Sequence, residues 1–318
     1  MSKKIHLAGS LAYDHILYYP GNFADLISSG EEGMNLSINV SDKTVQFGGT
    51  AGNIAYNLTL LGDQPVLMGV AGKDFHEYKE WLNKNSIDTD KVKVFENEFT
   101  ATAYITSDNV GNQIISFYKG ASVNDVDFGM KNYQENISYF SISPDKKERM
   151  LALLHEARFL GIPFMFDPGQ VITEFTDLEC LSFIEGPTVL IFNQFELKTF
   201  MKKTNLTREQ ILEKVPLLIE TLRETGSLIM TKNDKHYIKP VMVSKAQEPT
   251  GCGDAYRAGI LHGLTKGLDI KVTGQIASLI ATYNLESKGT QNHKFTKEEF
   301  KKRYADVFGD DIPVEAGL

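Results

Sequence analysis

Residues 249–259 read Pro-Thr-Gly-Cys-Gly-Asp-Ala-Tyr-Arg-Ala-Gly, a turn of small residues that runs into an aspartate and then a helical pattern. Gly251, Cys252 and Gly253 can present successive backbone N–H groups at a helix N-terminus, where unpaired donors and the helix dipole both attract anions. Asp254 then stands beside an anion hole, and a base next to an anion hole suits transfer of a phosphoryl group to a hydroxyl. The dipole is expected to lower the pKa of Asp254 and make it a weak base. A weak base suffices where the transition state is loose and catalysis is mostly positioning and charge stabilisation. The alternative is a turn whose aspartate only caps a helix. Two other phosphate motifs are excluded: Tyr256 stands at the third glycine of a dinucleotide fingerprint, and the chain has no Gly-x-x-x-x-Gly-Lys-Ser/Thr loop.

The elements that must position this turn alternate. Short apolar runs at Pro65–Ala71, Tyr139–Ile142, Phe164–Phe166, Thr188–Phe192 and Ser227–Met230 read as buried strands, and Glu148–Leu160 and Arg208–Glu224 read as amphipathic helices between them. Such alternation predicts an α/β fold, a mostly parallel sheet with helices on both faces and ligands at the carboxyl ends of its strands. Two stretches, Asn35–Phe47 and Phe99–Tyr118, have period two instead, the second with a polar turn at residues 107–112. They predict a small β layer that serves as a lid or as a plain structural extension. A second glycine motif, Gly48-Gly49-Thr50-Ala51-Gly52-Asn53, follows one of these strands and opens a helix. Paired glycines let backbone approach a ligand, and the Asn53 amide offers a donor and an acceptor to a sugar hydroxyl; a tight strand-to-helix turn is the alternative.

Together, in this order and at this separation, the two glycine motifs resemble the ribokinase-like (PfkB) family of sugar and nucleoside kinases. The resemblance spans nearly the whole chain, from Gly9-Ser10-Leu11-Ala12-Tyr13-Asp14 through Gly69–Asp74 and Asn193-Gln194-Phe195-Glu196 to Pro249–Gly259. Within the family the chain is most similar to bacterial adenosine kinases, on Ala12–His15, Gly69–Phe75, Ser116–Ala121, Asp167–Gln170 and Gly289-Thr290-Gln291. The resemblance implies a three-layer ribokinase-like fold with a mostly parallel central sheet and a small β-stranded lid. Residues 1–318 then form one kinase domain, the lid built from segments near 11–20, 34–47 and 98–119.

The implied reaction is ATP- and Mg²⁺-dependent phosphorylation of the adenosine 5′-hydroxyl to AMP, a purine-salvage step. A sugar or another nucleoside as acceptor is the nearer alternative, and a catalytically weak ligand-binding regulator the more distant one. By the same resemblance Asp254 is the general base and Gly251, Cys252 and Gly253 the anion hole. Asp14 bridges the ribose hydroxyls, with Gly48, Gly49 and Asn53 completing the sugar pocket. Phe117 stacks on the base and Gln170 bonds the base edge or the ribose. Asn193 and Glu196 organise Mg²⁺ through water, Asn193, Thr231 and Asn284 contact the nucleotide, and a monovalent cation such as K⁺ is a further candidate.

Two departures stand out. Glu248 replaces the usual aspartate before Pro249-Thr250, and the family's Thr-x-Gly-x-x-Gly loop under the ATP phosphates is replaced after Met230 by Thr231-Lys232-Asn233-Asp234-Lys235. Arg257 is expected as an exposed helix arginine, with pairing to Asp254 or Glu248, or approach to the transferring phosphate, as the alternatives, and Trp81 as a packing residue. A net charge of −8 argues against a nucleic-acid partner but not against a nucleotide held by local N–H groups. Cys180 and Cys252 alone make neither a disulfide framework nor a zinc pattern. With no apolar run of about 18 residues and no signal-like start, a soluble cytoplasmic protein without a membrane partner is expected. Unpaired lid edges make a homodimer through the lid the expected assembly.

Overall fold

The structure, a computed structural model, describes residues 3–27, 37–243 and 245–318, so residues 34–36 of the expected lid lie outside it. The chain enters on β1 (Lys4–Ala8), turns through Gly9-Ser10-Leu11 and continues as β2 (Ala12–Tyr18) and the short helix α1 (Phe23–Ile27). Next come β3 (Asp42–Gly48), α2 (Thr50–Leu60), β4 (Pro65–Met68), β5 (Val70–Gly72), α3 (His76–Lys84), β6 (Lys93–Phe95), β7 (Ala101–Ser107) and β8 (Gln113–Tyr118). β9 (Ile137–Ile142), α4 (Lys147–Phe159), β10 (Phe164–Phe166), α5 (Asp177–Leu181), β11 (Val189–Asn193), α6 (Gln194–Thr204), α7 (Arg208–Leu212) and β12 (Leu217–Thr221) follow. The hairpin β13 (Ser227–Met230) and β14 (Lys235–Ile238) leads to α8 (Cys252–Lys266), α9 (Ile270–Leu285) and α10 (Lys297–Phe308). No helix among the described residues is long and apolar enough to cross a membrane.

Among the described residues the central sheet has eight strands in the order β14-β13-β12-β11-β10-β9-β1-β4. β12 through β4 pair in parallel, and β13 and β14 extend the sheet antiparallel. Strands covered on both faces read as continuous apolar runs because successive side chains enter opposite cores. In β11, Leu190 and Phe192 join α4 and α6 in one core, while Val189 and Ile191 join α2 and α8 in the other. This is the three-layer ribokinase-like arrangement, with helices on both faces of the sheet.

Two expected boundaries change. The Arg208–Glu224 helix ends at Leu212, and Leu217–Thr221 form a central strand instead. Pro216 cannot continue the α7 hydrogen-bond ladder and biases Val215 away from helix, freeing an apolar run to pair with β11. The Pro65–Ala71 strand breaks at Gly69, where a Cβ would lie 2.8 Å from Leu11 Cδ1, and β5 leaves the central sheet to pair with β6.

A four-stranded sheet, order β3-β2-β7-β8, stands over the carboxyl end of β1, since β2 begins just after the turn that closes β1. β2 and β7 are parallel and the outer pairs antiparallel. Asp14, Ala103 and Phe117 are consecutive cross-strand partners, so their side chains share one face.

Ile219 in β12 is fully buried and Ile115 in β8 is 59% exposed. Ile219→Ala is expected to cost about 2–5 kcal/mol, and Ile115→Ala about 0.5 kcal/mol or less. Urea unfolding followed by circular dichroism, with an unchanged m-value, checks both.

Candidate active site

The first turn of α8 is built around Gly251, which caps the helix at φ 82°, in the left-handed region glycine adopts freely. A Cβ there would lie 2.9 Å from Thr290 Cγ2 and 3.1 Å from Asn284 Oδ1. The Cys252 N–H already donates to Pro249 O at 3.2 Å, so it belongs to the turn and not to a ligand. The N–H groups of Gly251 and Gly253 have no partner among the described residues. Asn284 sits behind this turn, its Nδ2 donating to Thr250 O at 2.7 Å and to Cys252 Sγ at 3.5 Å. Burial pushes the Cys252 thiol up to about 11, so it is protonated at neutral pH.

Asp254 lies on the first turn of α8, with Asn53 Nδ2 donating to its Oδ2 at 2.8 Å. Its pKa is raised to about 6, above the usual carboxylate range, because burial outweighs the cation of Arg257 and the Asn53 bond while Asp167 and Asp14 push the same way as burial. The carboxyl is thus not lowered as the helix start alone suggests, because burial raises it. Arg257, expected on the surface, is 8% exposed and paired with Asp167, and its guanidinium lies against Gly253, where a Cβ would meet Nη1 at 2.7 Å. A fixed positive charge thus stands directly beside Gly253 at the start of α8. Asp167 also accepts from the Gly169 N–H at 3.0 Å, so the turn after β10 clamps it.

Asp14 faces this cluster from β2. Its pKa is raised to about 6 by burial and then by Glu248. Glu248 Oε2 accepts from Gly289 N–H at 2.9 Å, so the longer acid ties the approach to α8 to the 289–293 loop. Gly48 leaves room for Asp14: a Cβ would lie 2.6 Å from its Oδ2. At Gly49, φ 87°, a Cβ would lie 2.5 Å from Ser10 O, so the α2 start packs directly on the β1–β2 turn. Asn53 is 4% exposed and satisfied at both ends, since Gln291 Nε2 donates to its Oδ1 at 3.0 Å. Phe117 is 57% exposed on the Asp14 face, and Gln170 is exposed in the turn after β10.

Asn193 ends β11 and caps α6: Glu196 N–H donates to Asn193 Oδ1 at 2.9 Å, and Asn193 N–H donates to Glu196 Oε2 at 2.7 Å. Burial and Asp167 raise the Glu196 pKa. Among the described residues no group of three or more His, Cys, Asp or Glu could hold a metal ion.

The model of the pfkB family carbohydrate kinases matches residues 3–297. The chain belongs to that family. It is a PfkB phosphotransferase with an alcohol acceptor. A nucleoside kinase of Methanocaldococcus jannaschii is 31% identical over 271 residues, 85% of this chain and 89% of that one. The structure of Burkholderia thailandensis nucleoside kinase in complex with inosine superposes with a TM-score of 0.85 at 33% identity, covering 96% of this chain and 99% of that one. The structure of the same enzyme in complex with ADP-inosine gives 0.83 at 32% identity, with 97% of each chain covered.

One donor-side residue moves. Met230 pairs with Leu218 near the start of β12, so Thr231 lies at the amino edge of the parallel strands, where its Oγ1 accepts from Asp234 N–H at 3.0 Å inside the β13–β14 turn. It is remote from the carboxyl ends of the parallel strands, where Asn193 and the turn after β10 lie. The Thr-x-Gly-x-x-Gly spacing falls instead on Thr221-Leu222-Arg223-Glu224-Thr225-Gly226, directly after β12 and beside Asn193. Arg223 stands at the first glycine and keeps a glycine-like φ of 53°. The expected Arg208–Glu224 helix covers this turn, and the Thr221…Gly226 spacing is its sequence signal.

A base role for Asp254 predicts that kcat/KM falls as pH drops through about 6, the value raised by burial in the ligand-free protein. Removing a cation disfavours the carboxylate, so Arg257→Met moves that limb to higher pH. Initial rates between pH 5 and 8 in both proteins measure it.

Proposed function

We propose that this chain transfers the γ-phosphoryl group of ATP to the 5′-hydroxyl of a nucleoside, with adenosine as the acceptor and purine salvage as the role. The observation that carries this is the juxtaposition of Asp254 with the N–H groups of Gly251 and Gly253, backed by Arg257 and faced by Asp14. The nucleoside kinases among its relatives support the acceptor class, and the relative bound to inosine makes inosine the second candidate.

In this mechanism Asp14 accepts from vicinal ribose hydroxyls, Phe117 offers its ring to the base, and Asp254 takes the 5′-hydroxyl proton as the oxygen attacks. The α8 donors receive the charge of the migrating phosphoryl group, with Arg257 held behind them by Asp167. Burial of the site strengthens these contacts by excluding water. The oxygen donors of Asn193 and Glu196 suit a hard cation held through water, with the buried Asp167 carboxylate near Glu196. Mg²⁺, when bound, supplies charge neutralisation for the triphosphate. The exposed outer strands β3 and β8, with Val45, Ile114 and Tyr118 at the surface, suit pairing of two copies as a homodimer, which a light-scattering mass in solution tests.

Asp254→Asn is expected to reduce kcat by about 10²–10⁴-fold with nucleoside binding retained, while Asp14→Asn raises KM for the nucleoside. ADP release with adenosine, inosine, ribose and fructose as acceptors tests the reading. Turnover confined to ribose or fructose would overturn the nucleoside assignment, and binding without turnover would favour a regulator.

A further inference from the structure

Behind Asp254 the polar side chains form a chain with a direction. Trp81 on α3 is the only tryptophan in the sequence, and its Nε1–H donates to Gln291 Oε1 at 3.0 Å. Gln291 Nε2 donates to Asn53 Oδ1 at 3.0 Å and to Tyr78 Oη at 2.7 Å. Asn53 Nδ2 then donates to Asp254 Oδ2 at 2.8 Å, and the Tyr78 hydroxyl donates to Gly48 O at 2.8 Å.

A side-chain amide can be turned over, exchanging a donor face for an acceptor face. Here both ends of the chain forbid that. An indole N–H only donates, so Gln291 must aim its oxygen at Trp81 and its NH₂ at Asn53; an ionised carboxylate only accepts, so Asn53 must aim its NH₂ at Asp254. Gln291 is 2% exposed, Asn53 4% and Tyr78 fully buried, so water does not replace a lost partner. We propose that Trp81 and Gln291 are positioning residues for the phosphoryl-transfer reaction, fixing the Asn53 amide so that it presents N–H to Asp254. An inverted Asn53 would set its carbonyl oxygen against the carboxylate.

This inference rests on Asp254 acting as the base. The other groups facing Asp254 are Arg257 and the protonated Cys252 thiol on its own helix, Asp167 after β10, Asp14 on β2 and Tyr78 on α3. None changes in the variants below. The Trp81 ring also stacks on Phe47 and Tyr56, with centroids 5.9 and 6.1 Å away, so Trp81→Phe removes the donor and keeps an aromatic ring.

In Trp81→Phe, and in Gln291→Met, kcat is expected to fall roughly threefold, the scale of one neutral hydrogen bond, with the nucleoside KM unchanged. The acid limb of the rate should move up by about half a pH unit, the same free energy read as a pKa. The double variant should be no slower than Gln291→Met alone, because the two residues act in series. A second readout needs no turnover: the carboxyl ¹³C resonance of Asp254, assigned by its loss in Asp254→Asn, titrated in the ligand-free protein. An upward shift of its midpoint in both variants supports the relay even if wild-type protein phosphorylates no nucleoside, an outcome that would remove only the functional reading. Unmoved midpoints and pH limbs, or a lowered melting temperature alone, would overturn the relay.

Discussion

The contact on which the site depends is the hydrogen bond from Asn53 to Asp254, made between residues 201 positions apart. It joins the first turn of α2 to the first turn of α8, two helices that cover the same face of the sheet. α2 is placed by its own start: Gly49 packs on the β1–β2 turn, and Thr50 N–H donates to Ser10 Oγ at 3.0 Å. α8 is placed by its packing on α9, close enough that a Cβ on Gly259 would lie 2.4 Å from Ala277 Cα. Each helix start is fixed by its own glycine, and the Asn53–Asp254 bond is where the two placements meet.

Charge is arranged around that bond with opposing effects. Burial and the nearby Asp167 and Asp14 hold Asp254 toward protonation, while Arg257 and Asn53 hold it toward ionisation. The balance sits about two units above an ordinary aspartate, close to neutrality, where a carboxyl is a stronger base and remains mostly ionised at pH 7. Arg257 is paired with Asp167, so its charge is fixed in place and costs little reorganisation if anionic charge develops beside Gly253. The site is therefore tuned by groups from β2, α2, the turn after β10 and α8 together.

What the sequence made legible were features that local chemistry dictates. Both glycine turns, the short strands Phe164–Phe166 and Ser227–Met230, and the Asn193–Glu196 helix start follow from neighbours in the chain. What stayed hidden was set by distant partners. The Asp254 pKa answers to burial that no local pattern records, and a helix arginine looks exposed until Asp167, ninety positions earlier, is brought beside it. Leu217–Thr221 carried enough polar residues on either side to continue a helical pattern, and only Pro216 and the sheet decide otherwise. Trp81 and Gln291 each have an ordinary local explanation, packing and loop, and gain a joint one only through the fold.

The 289–293 loop closes the site from the far end of the chain: Thr290 Oγ1 donates to Phe47 O at 3.0 Å, Gln291 reaches Asn53, and the Tyr56 hydroxyl donates to His293 O at 2.7 Å. These bonds have a consequence for synthesis, which delivers the N-terminus first. Among the described residues every strand of the three sheets lies before residue 239, so all of them are synthesised while α8 and the closing loop are still to come. A truncated product ending within α9 keeps every strand but lacks the residues that orient Asn53, which ties activity to completion of the polypeptide.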